Sequence, residues 1–500
     1  MQGRKNYQEQ LFISFRLSDY VPADNFYRAL NDILDFNFLY QSTKTYYGNE
    51  GQKSIDPVVF MKLMLVGYLE NINSDRKIIN TCKMRMDILF FLGYDINEEL
   101  PWHSTLSRTR RLFGEEHFSN IFRIVLKQCI DKGMLTGKRQ AVDSALIKAN
   151  ASMDTLIEKQ ILEDAATYTA ELEVNSEQPK AIPLNTPLTE LTQAKQRNRS
   201  NSYRKGNKRS NQTHCSISDS DARISYKPGK PFKMYYLCQV SVDTSSYLIT
   251  NIAAMHADKG DAKCFPQVLE HTVGNLKENG LNVEEILADT GYSSSENFER
   301  LQKYQIKGYF SVPQRPQSQV SKDFVYDQAN DRYICPKGKF MPLKRSSIID
   351  HNKVLIYRAS SNDCSNCPIQ SACCNSTGTK QIHKGAASEH YEQMRQRMES
   401  PIGRKMKGLR SATVEPVIGT LTNYGGMRQI NAKGINQANK CMLMAAAAYN
   451  LKKLLRFRTK TSLTDASTAI KSRFINQINF FNCLLQLISY KMSMNKILKS

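Results

Sequence analysis

Three acidic residues in this 500-residue chain stand where a carboxylate can do chemistry. Asp143 follows the apolar run QAV, Asp289 follows EILA, and Glu415 sits in RSATVEPVIG. The first two are expected to close β-strands, and the third to lie at the start of a helical region. Acids at the ends of neighbouring strands project toward one sheet edge, where the active sites of α/β folds collect. Carboxylate oxygens are hard donors and suit Mg2+ or Mn2+, with water and phosphate completing the shell. Two such ions about 4 Å apart can activate a water or a 3′-hydroxyl and stabilise the leaving oxygen of a phosphodiester. A single strand-end Asp is usually a turn or cap residue, so the inference rests on the three together. Two further residues, His256 and Asp258 in MHADKGD, could approach the same edge as supporting groups, although a loop-capping role is the better expectation. Tyr292, three residues after Asp289, is expected to pack under the following helix.

A second chemistry is written in sulfur. Seven of the twelve cysteines (82, 129, 215, 238, 264, 441 and 483) are isolated and read as reduced thiols. The other five fall between 335 and 374. Cys335 opens Cys-Pro-Lys-Gly, and Cys364-x2-Cys367-x5-Cys373 supplies three more thiols. Four thiolates with a tight CxxC pair suit tetrahedral Zn2+, which would be structural because no position is left for water. Cys374 and His383 are rival fourth ligands, and reduced thiols without metal are the plain alternative.

Charge points to the partner. Lys and Arg number 69 against 47 Asp and Glu, a net of +22, with a pI near 9.4. A surplus of this size repels itself unless it meets a polyanion, and nucleic acid is the first expectation. Residues 391–500 alone carry 19 Lys and Arg and 4 Asp and Glu. A second basic run, KQRNRSNSYRKGNKRS at 195–210, has no acid in it and reads equally as a nucleic-acid arm or a solvated linker. With 41% hydrophobic residues, wholesale disorder and collagen-like composition are excluded. No apolar run is long enough for a membrane helix. The opening MQGRKNYQEQLF lacks the apolar centre of a signal peptide, so an intracellular soluble protein is expected.

The elements that must position these residues follow from periodicity. Residues 1–135 read as a helical domain. The segment from Asp56 to Gly93 has helical apolar spacing, opened by Asp56 and Pro57 as cap and first-turn residue. In LPWHSTLSRTRRLFG, Ser104 is the expected cap of a helix whose exposed face carries Arg108, Arg110 and Arg111. Two helices joined by a short turn, the second basic, resemble a helix-turn-helix DNA reader. Residues 136–313 read as alternating strands and helices, interrupted by a linker or insertion at 150–210. A hairpin is expected around Asp243–Ser246, a helix over roughly 261–278, and a capping box at Ser293 and Glu296. Residues 314–390 are Cys-rich and loop-rich, 391–458 helical again, and 459–500 a basic tail.

The stretches AVDSALIKANAS, LADTGYSS and SATVEPVIGTL resemble the three acidic motifs of bacterial insertion-sequence DDE transposases, and DPVVFMKLMLVGYL with LPWHSTLSRTRRLF resembles their N-terminal helical domain. The layout is similar to the insertion-sequence family numbered eleven eighty-two, which also has a Cys-containing segment before the final acid. The resemblance covers roughly residues 50–455. It implies an α/β fold: an RNase H-like, integrase-like mixed sheet flanked by helices, with a helical N-terminal domain and a Cys-rich insertion before the last acid. It implies Asp143, Asp289 and Glu415 as the metal-binding triad for two Mg2+ or Mn2+ ions. The implied reaction is hydrolytic cleavage at transposon ends followed by strand transfer of the 3′-hydroxyl into target DNA. The partners would be double-stranded DNA, as terminal inverted repeats and target, and at least one further copy of the chain; no membrane is involved, and the setting would be a bacterial cytoplasm at the nucleoid. Arg410 matches the arginine that related enzymes carry before the glutamate. Lys407 stands near their tyrosine position and Thr422 at their lysine position, leaving Arg428 or Lys433 to supply that charge; Trp102 replaces a frequent Asp. Two other readings share the charge: a catalytically inactive DNA-binding derivative or regulator, and an RNase H-like nuclease without strand transfer.

Overall fold

The computed structural model describes residues 15–48, 50, 54–159, 209–227, 229, 231–312, 323–349, 352–374, 378–385 and 388–457. Most of the 150–210 linker, its basic run apart from Arg209 and Ser210, the tail at 459–500 and Cys483 lie outside the described residues. The chain divides into two compact units. One combines residues up to 135 with those from 421 onward, and the other spans 136–420.

The first unit is helical: α1 (Leu17–Tyr20), α2 (Phe26–Ile33), α3 (Phe38–Ser42), α4 (Pro57–Leu69), α5 (Asp75–Lys83), α6 (Met86–Leu92), α7 (His103–Leu112), α8 (Glu115–Asp131) and a long helix at 435–457. The expected start of α4 is found. Asp56 Oδ1 accepts from the amides of Val58 at 2.7 Å and Val59 at 3.1 Å, with Pro57 in the first turn. Where one helical region was expected, three helices form. Gly93 closes the last of them in the left-handed region, φ 80°. No described helix is long and apolar enough to cross a membrane.

Two expectations for α7 change. Trp102, not Ser104, holds the N-cap position, and the ten-residue connection 93–102 precedes the helix where a helix-turn-helix has a turn of three or four. Residues 421–457, expected to belong with the catalytic core, group with the helical unit. Physical chemistry explains the grouping. The helix at 435–457 sends Lys440 Nζ to the carbonyl oxygens of Arg110 (3.0 Å) and Phe113 (2.5 Å), and Lys452 Nζ to that of Leu69 (2.7 Å). These carbonyls lie at the C-terminal ends of α7 and α4, where backbone acceptors are orphaned and the helix dipole favours cations.

The second unit holds a six-stranded sheet ordered β4 (Arg223–Ser225), β5 (Lys233–Asp243), β1 (Arg139–Lys148), β7 (Glu285–Ala288), β8 (Lys307–Phe310), with β6 (Ile249–His256) also paired to β5. β1 runs antiparallel to β5, from Gln140 opposite Asp243 to Lys148 opposite Tyr235, and parallel to β7. β7 and β8 are parallel, and β5 and β6 antiparallel. The β5–β6 turn is the expected one. Asp243 Oδ1 accepts from the amides of Ser245 (3.0 Å) and Ser246 (3.1 Å). α9 (Asp261–Lys277) and α10 (Ser295–Lys303) cover one face, joining Phe265, Val268, Phe298 and Leu301 to Val142, Leu146 and Phe310 in one core. The cap of α10 is Ser294, which accepts from Asn297 N at 3.2 Å, one residue later than expected. A short ladder pairs β2 (Leu156–Glu158) with β3 (His214–Ser216).

The Cys-rich region is not loop-rich. It builds a separate antiparallel sheet from β9 (Val325–Asp327), β10 (Arg332–Ile334), β11 (Phe340–Ile349), β12 (Asn352–Arg358) and β13 (Gln381–Gly385), with α11 (Ser361–Ser365) and α12 (Gln370–Cys373) before β13. α13 (Ser388–Glu399) adds Met394 to the main core, and α14 (Pro401–Tyr424) carries the last acid.

Replacing buried Lys440 with Ala removes the donor to two carbonyls. The variant is expected to lose about 1–3 kcal/mol in the helical unit. A urea midpoint equal to that of the parent protein would contradict this role.

Candidate active site

β1 does not end at Asp143, as expected, but continues to Lys148. Asp143 is therefore a mid-strand residue, and strand alternation sends it and Ser144 to opposite faces. Val142 and Leu146 lie in the core beneath α9 and α10. Asp143 thus projects from the other face.

That face meets α14. Gly403, Met406, Thr413, Val414 and Val417 are the buried residues of α14 in this unit. Arg410 falls in the same helical stripe, which leaves its side chain only 14% exposed. Its Nη1 donates to Asp143 Oδ2 at 2.6 Å and its Nη2 to Glu415 Oε1 at 3.3 Å. One guanidinium therefore bridges two acids that stand 272 positions apart in the chain. Glu415 was expected at the start of a helical region but sits well inside α14, followed by Pro416. Its side chain is 58% exposed.

Asp289 immediately follows β7, as expected, and its Oδ1 accepts from Gly291 N at 2.9 Å. Its charge acts on Asp143. Burial pushes the Asp143 carboxyl above the ordinary carboxylate range, and the like charge of Asp289 adds to this; the Ser144 amide and Arg410 pull the other way. The three sequence-selected acids thus form one electrostatic group, with Asp143 at its centre. Among the described residues, no three His, Cys, Asp or Glu side chains stand preassembled around a metal position. The donor set nevertheless suits a hard divalent cation, because a cation already stands there: the Arg410 guanidinium occupies the space that Asp143 and Glu415 share.

A fourth acid was missed by the sequence reading. Asp261, the first residue of α9, accepts from Gln239 Nε2 at 2.9 Å, and Lys227 Nζ lies 3.7 Å from its other oxygen. Gln239 Oε1 in turn accepts from the Tyr292 hydroxyl at 2.5 Å. Lys227 also donates to Ser144 Oγ at 2.9 Å. Gly291 lies between the two carboxylates. A Cβ there would stand 3.1 Å from Asp261 Oδ2 and 3.2 Å from Asp289 Oδ1, so a side chain at this turn would have to push a carboxylate aside by a few tenths of an ångström. Tyr292 is fully buried, and burial holds its phenol well above its usual value, so it remains a neutral donor. It packs as expected, and it also anchors this network. The available signal was an Asp opening a helix two residues after Lys259, in the same stretch as His256 and Asp258. Those two turn elsewhere. His256 Nδ1 is 3.0 Å from the Asp221 carbonyl oxygen, and Asp258 pairs with Arg223 at 3.5 Å.

Of the arginines expected on the basic face of α7, Arg108 and Arg111 are exposed. Arg110 is not on that face. It is mostly buried against Met64 and paired with Asp75 at 2.5 Å, so it serves the interior of the helical unit. Arg428 and Lys433 are exposed and group with the helical unit. Cys335, Cys364, Cys367, Cys373 and Cys374 line a single pocket, and His383, on β13, does not.

Residues 15–112 match the profile of a transposase domain (DUF772), and residues 334–455 that of a transposase DDE domain. The second match contains Glu415, while Asp143 and Asp289 lie between the two. No curated protein matches the chain. A solved piggyBac transposase synaptic complex with hairpin DNA aligns over 85% of this chain and 73% of that one, at 10% identity and a TM-score of 0.29, a likeness too slight to bear on the fold. The chain thus carries a transposase-domain match near its start and a transposase DDE-domain match farther along.

Proposed function

We propose that this chain cleaves DNA at transposon ends and transfers the resulting 3′-hydroxyl into target DNA. The observation that carries the proposal is the Arg410 bridge between Asp143 and Glu415, with Asp289 acting on the same carboxyl. The strand order β6-β5-β1-β7-β8, antiparallel in its first pairings and parallel in its last two, supports an RNase H-like core. Asp143, Asp289 and Glu415 would hold Mg2+ or Mn2+, which when bound supplies charge to activate the attacking oxygen and stabilise the leaving one.

The chain's own residues do the remaining work. Arg410 holds two acids at a fixed separation and offers a guanidinium suited to phosphate. Asp261, Gln239 and Tyr292 fix the turn that carries Asp289. Arg108 and Arg111, with Trp102 70% exposed at the start of the same helix, form a basic and aromatic surface of the kind that DNA phosphates and bases favour. Arg428, Lys433 and the basic tail would add phosphate contacts. Joining two DNA ends calls for at least two chains.

The test is a cleavage and integration assay on end-containing DNA. Asp289→Asn is expected to lose Mg2+-dependent cleavage and strand transfer to background while binding the same DNA within a factor of a few. Full activity in that variant would overturn the proposal, and cleavage by the parent protein without integration would favour the nuclease reading.

A second expectation follows from the buried carboxyl. A raised folded pKa means that the folded chain holds this proton to higher pH than the unfolded chain, so stability falls as pH rises through the window between the ordinary carboxylate value and the raised one. Arg410 and Asp289 face this group, with Glu415 beyond the guanidinium. In Asp143→Asn, Arg410 keeps Glu415 and gains an amide oxygen. With chelator present, the variant is expected to be inactive yet to melt above the parent protein at neutral pH, and the difference should vanish below about pH 4. A lower melting temperature at neutral pH would contradict the dominance of burial.

A further inference from the structure

The sheet β9–β13 has a core of its own that shares no residue with the main one. Among the described residues, its buried members are Phe324, Met341, Tyr357, Ala359 and Cys364, with Cys335, Cys373 and Cys374 among the partly buried residues packed against them. At one end, Tyr326, Tyr333 and Tyr357 pack ring to ring, and Asp331 accepts from the hydroxyls of Tyr326 (2.7 Å) and Tyr357 (2.5 Å). At the other end the filling is sulfur. A core this small seldom sustains a sheet without a covalent or metal staple.

The thiols are arranged on short, well-hydrogen-bonded turns. In the β10–β11 connection, Cys335 N donates to Lys339 O at 2.9 Å, Gly338 has φ 74°, and the Lys339 amide points at Cys335 Sγ at 3.3 Å. Cys364 and Cys367 are joined by a turn, Cys367 N to Cys364 O at 3.2 Å, and Cys373 and Cys374 end the next one. Burial pushes the Cys374 thiol up to about 11, and the neighbouring thiols of Cys364 and Cys373 add to this. Lys337, Lys339 and Lys380 line the same pocket together with Asp363, which lies 3.7 Å from Lys339 Nζ, and their net charge would balance the surplus negative charge of four thiolates on a dication. The other described cysteines are buried. The thiols share one wall rather than one point, and binding would draw them in by side-chain rotation.

We propose that Cys335, Cys364, Cys367 and one thiol of the Cys373–Cys374 pair bind a structural zinc ion that closes this sheet. Each ligating thiol gives its proton to solvent as its sulfur bonds the metal, with no change of oxidation state. Four sulfurs fill a tetrahedral shell, so the ion takes no part in phosphodiester chemistry. The inference does not depend on the acids being catalytic.

The test is metal analysis of the full-length protein purified without chelator, paired with Co2+ exchange. About one zinc per chain is expected, and the cobalt form should show the intense thiolate-to-metal absorption of a tetrahedral sulfur site. Cys364→Ser with Cys367→Ser should lose the metal, Cys373→Ser with Cys374→Ser should lose it as well, and Cys129→Ser should keep it. The cobalt spectrum of the parent protein reads the ligands whether or not the variants fold. Zinc below a tenth of an equivalent, a cobalt form without thiolate absorption, or full zinc retention in the Cys364/Cys367 variant would overturn the proposal.

Discussion

The arrangement turns on one ion cluster, the guanidinium of Arg410 between Asp143 and Glu415. A carboxylate in the middle of a central strand is costly to bury, and its raised pKa reflects that cost. An always-charged, planar partner reduces it. Because that partner comes from a helix more than 250 residues away in sequence, the contact ties the central strand β1 to the helix bearing the last acid. Any divalent cation must compete with, or displace, a positive charge already in place.

The strand pleat divides the polar groups between two faces. Asp143 faces the ion cluster, while Ser144 faces Lys227, which reaches Asp261. Adjacent residues therefore feed two networks, one around the Arg410 ion cluster and one that braces the turn carrying Asp289. Bracing of this kind matters because carboxylates that act together must be held to within a fraction of an ångström. Gly291, squeezed between Asp261 and Asp289, is the point at which the two networks touch.

Much of this was legible in the sequence and some of it was not. The acids stood out because each sits beside a short apolar run, and the Asp56–Pro57 start and the Asp243 turn were legible because a local side chain makes the hydrogen bonds. Strand and helix ends were less legible. QAVDSALIK resumes an apolar run at Ala145–Ile147 that carries the strand past Asp143, and nothing local ends a helix before Glu415. Arg110 looked like its neighbours Arg108 and Arg111, since only a partner 35 residues away, Asp75, marks it as interior. Asp261 was hidden for the same reason: its partners Gln239 and Lys227 come from other elements. The five-stranded sheet around the cysteines was hidden because its strands pair with one another more than they bury.

The most direct measurement is Mn2+ titration, by electron paramagnetic resonance, of the chelator-stripped protein and its Arg410→Ala variant. If Asp143, Asp289 and Glu415 form one cation site that Arg410 now serves, removing the guanidinium should tighten Mn2+ binding by roughly tenfold, about 1.4 kcal/mol. Unchanged or weaker binding in Arg410→Ala would contradict a shared site.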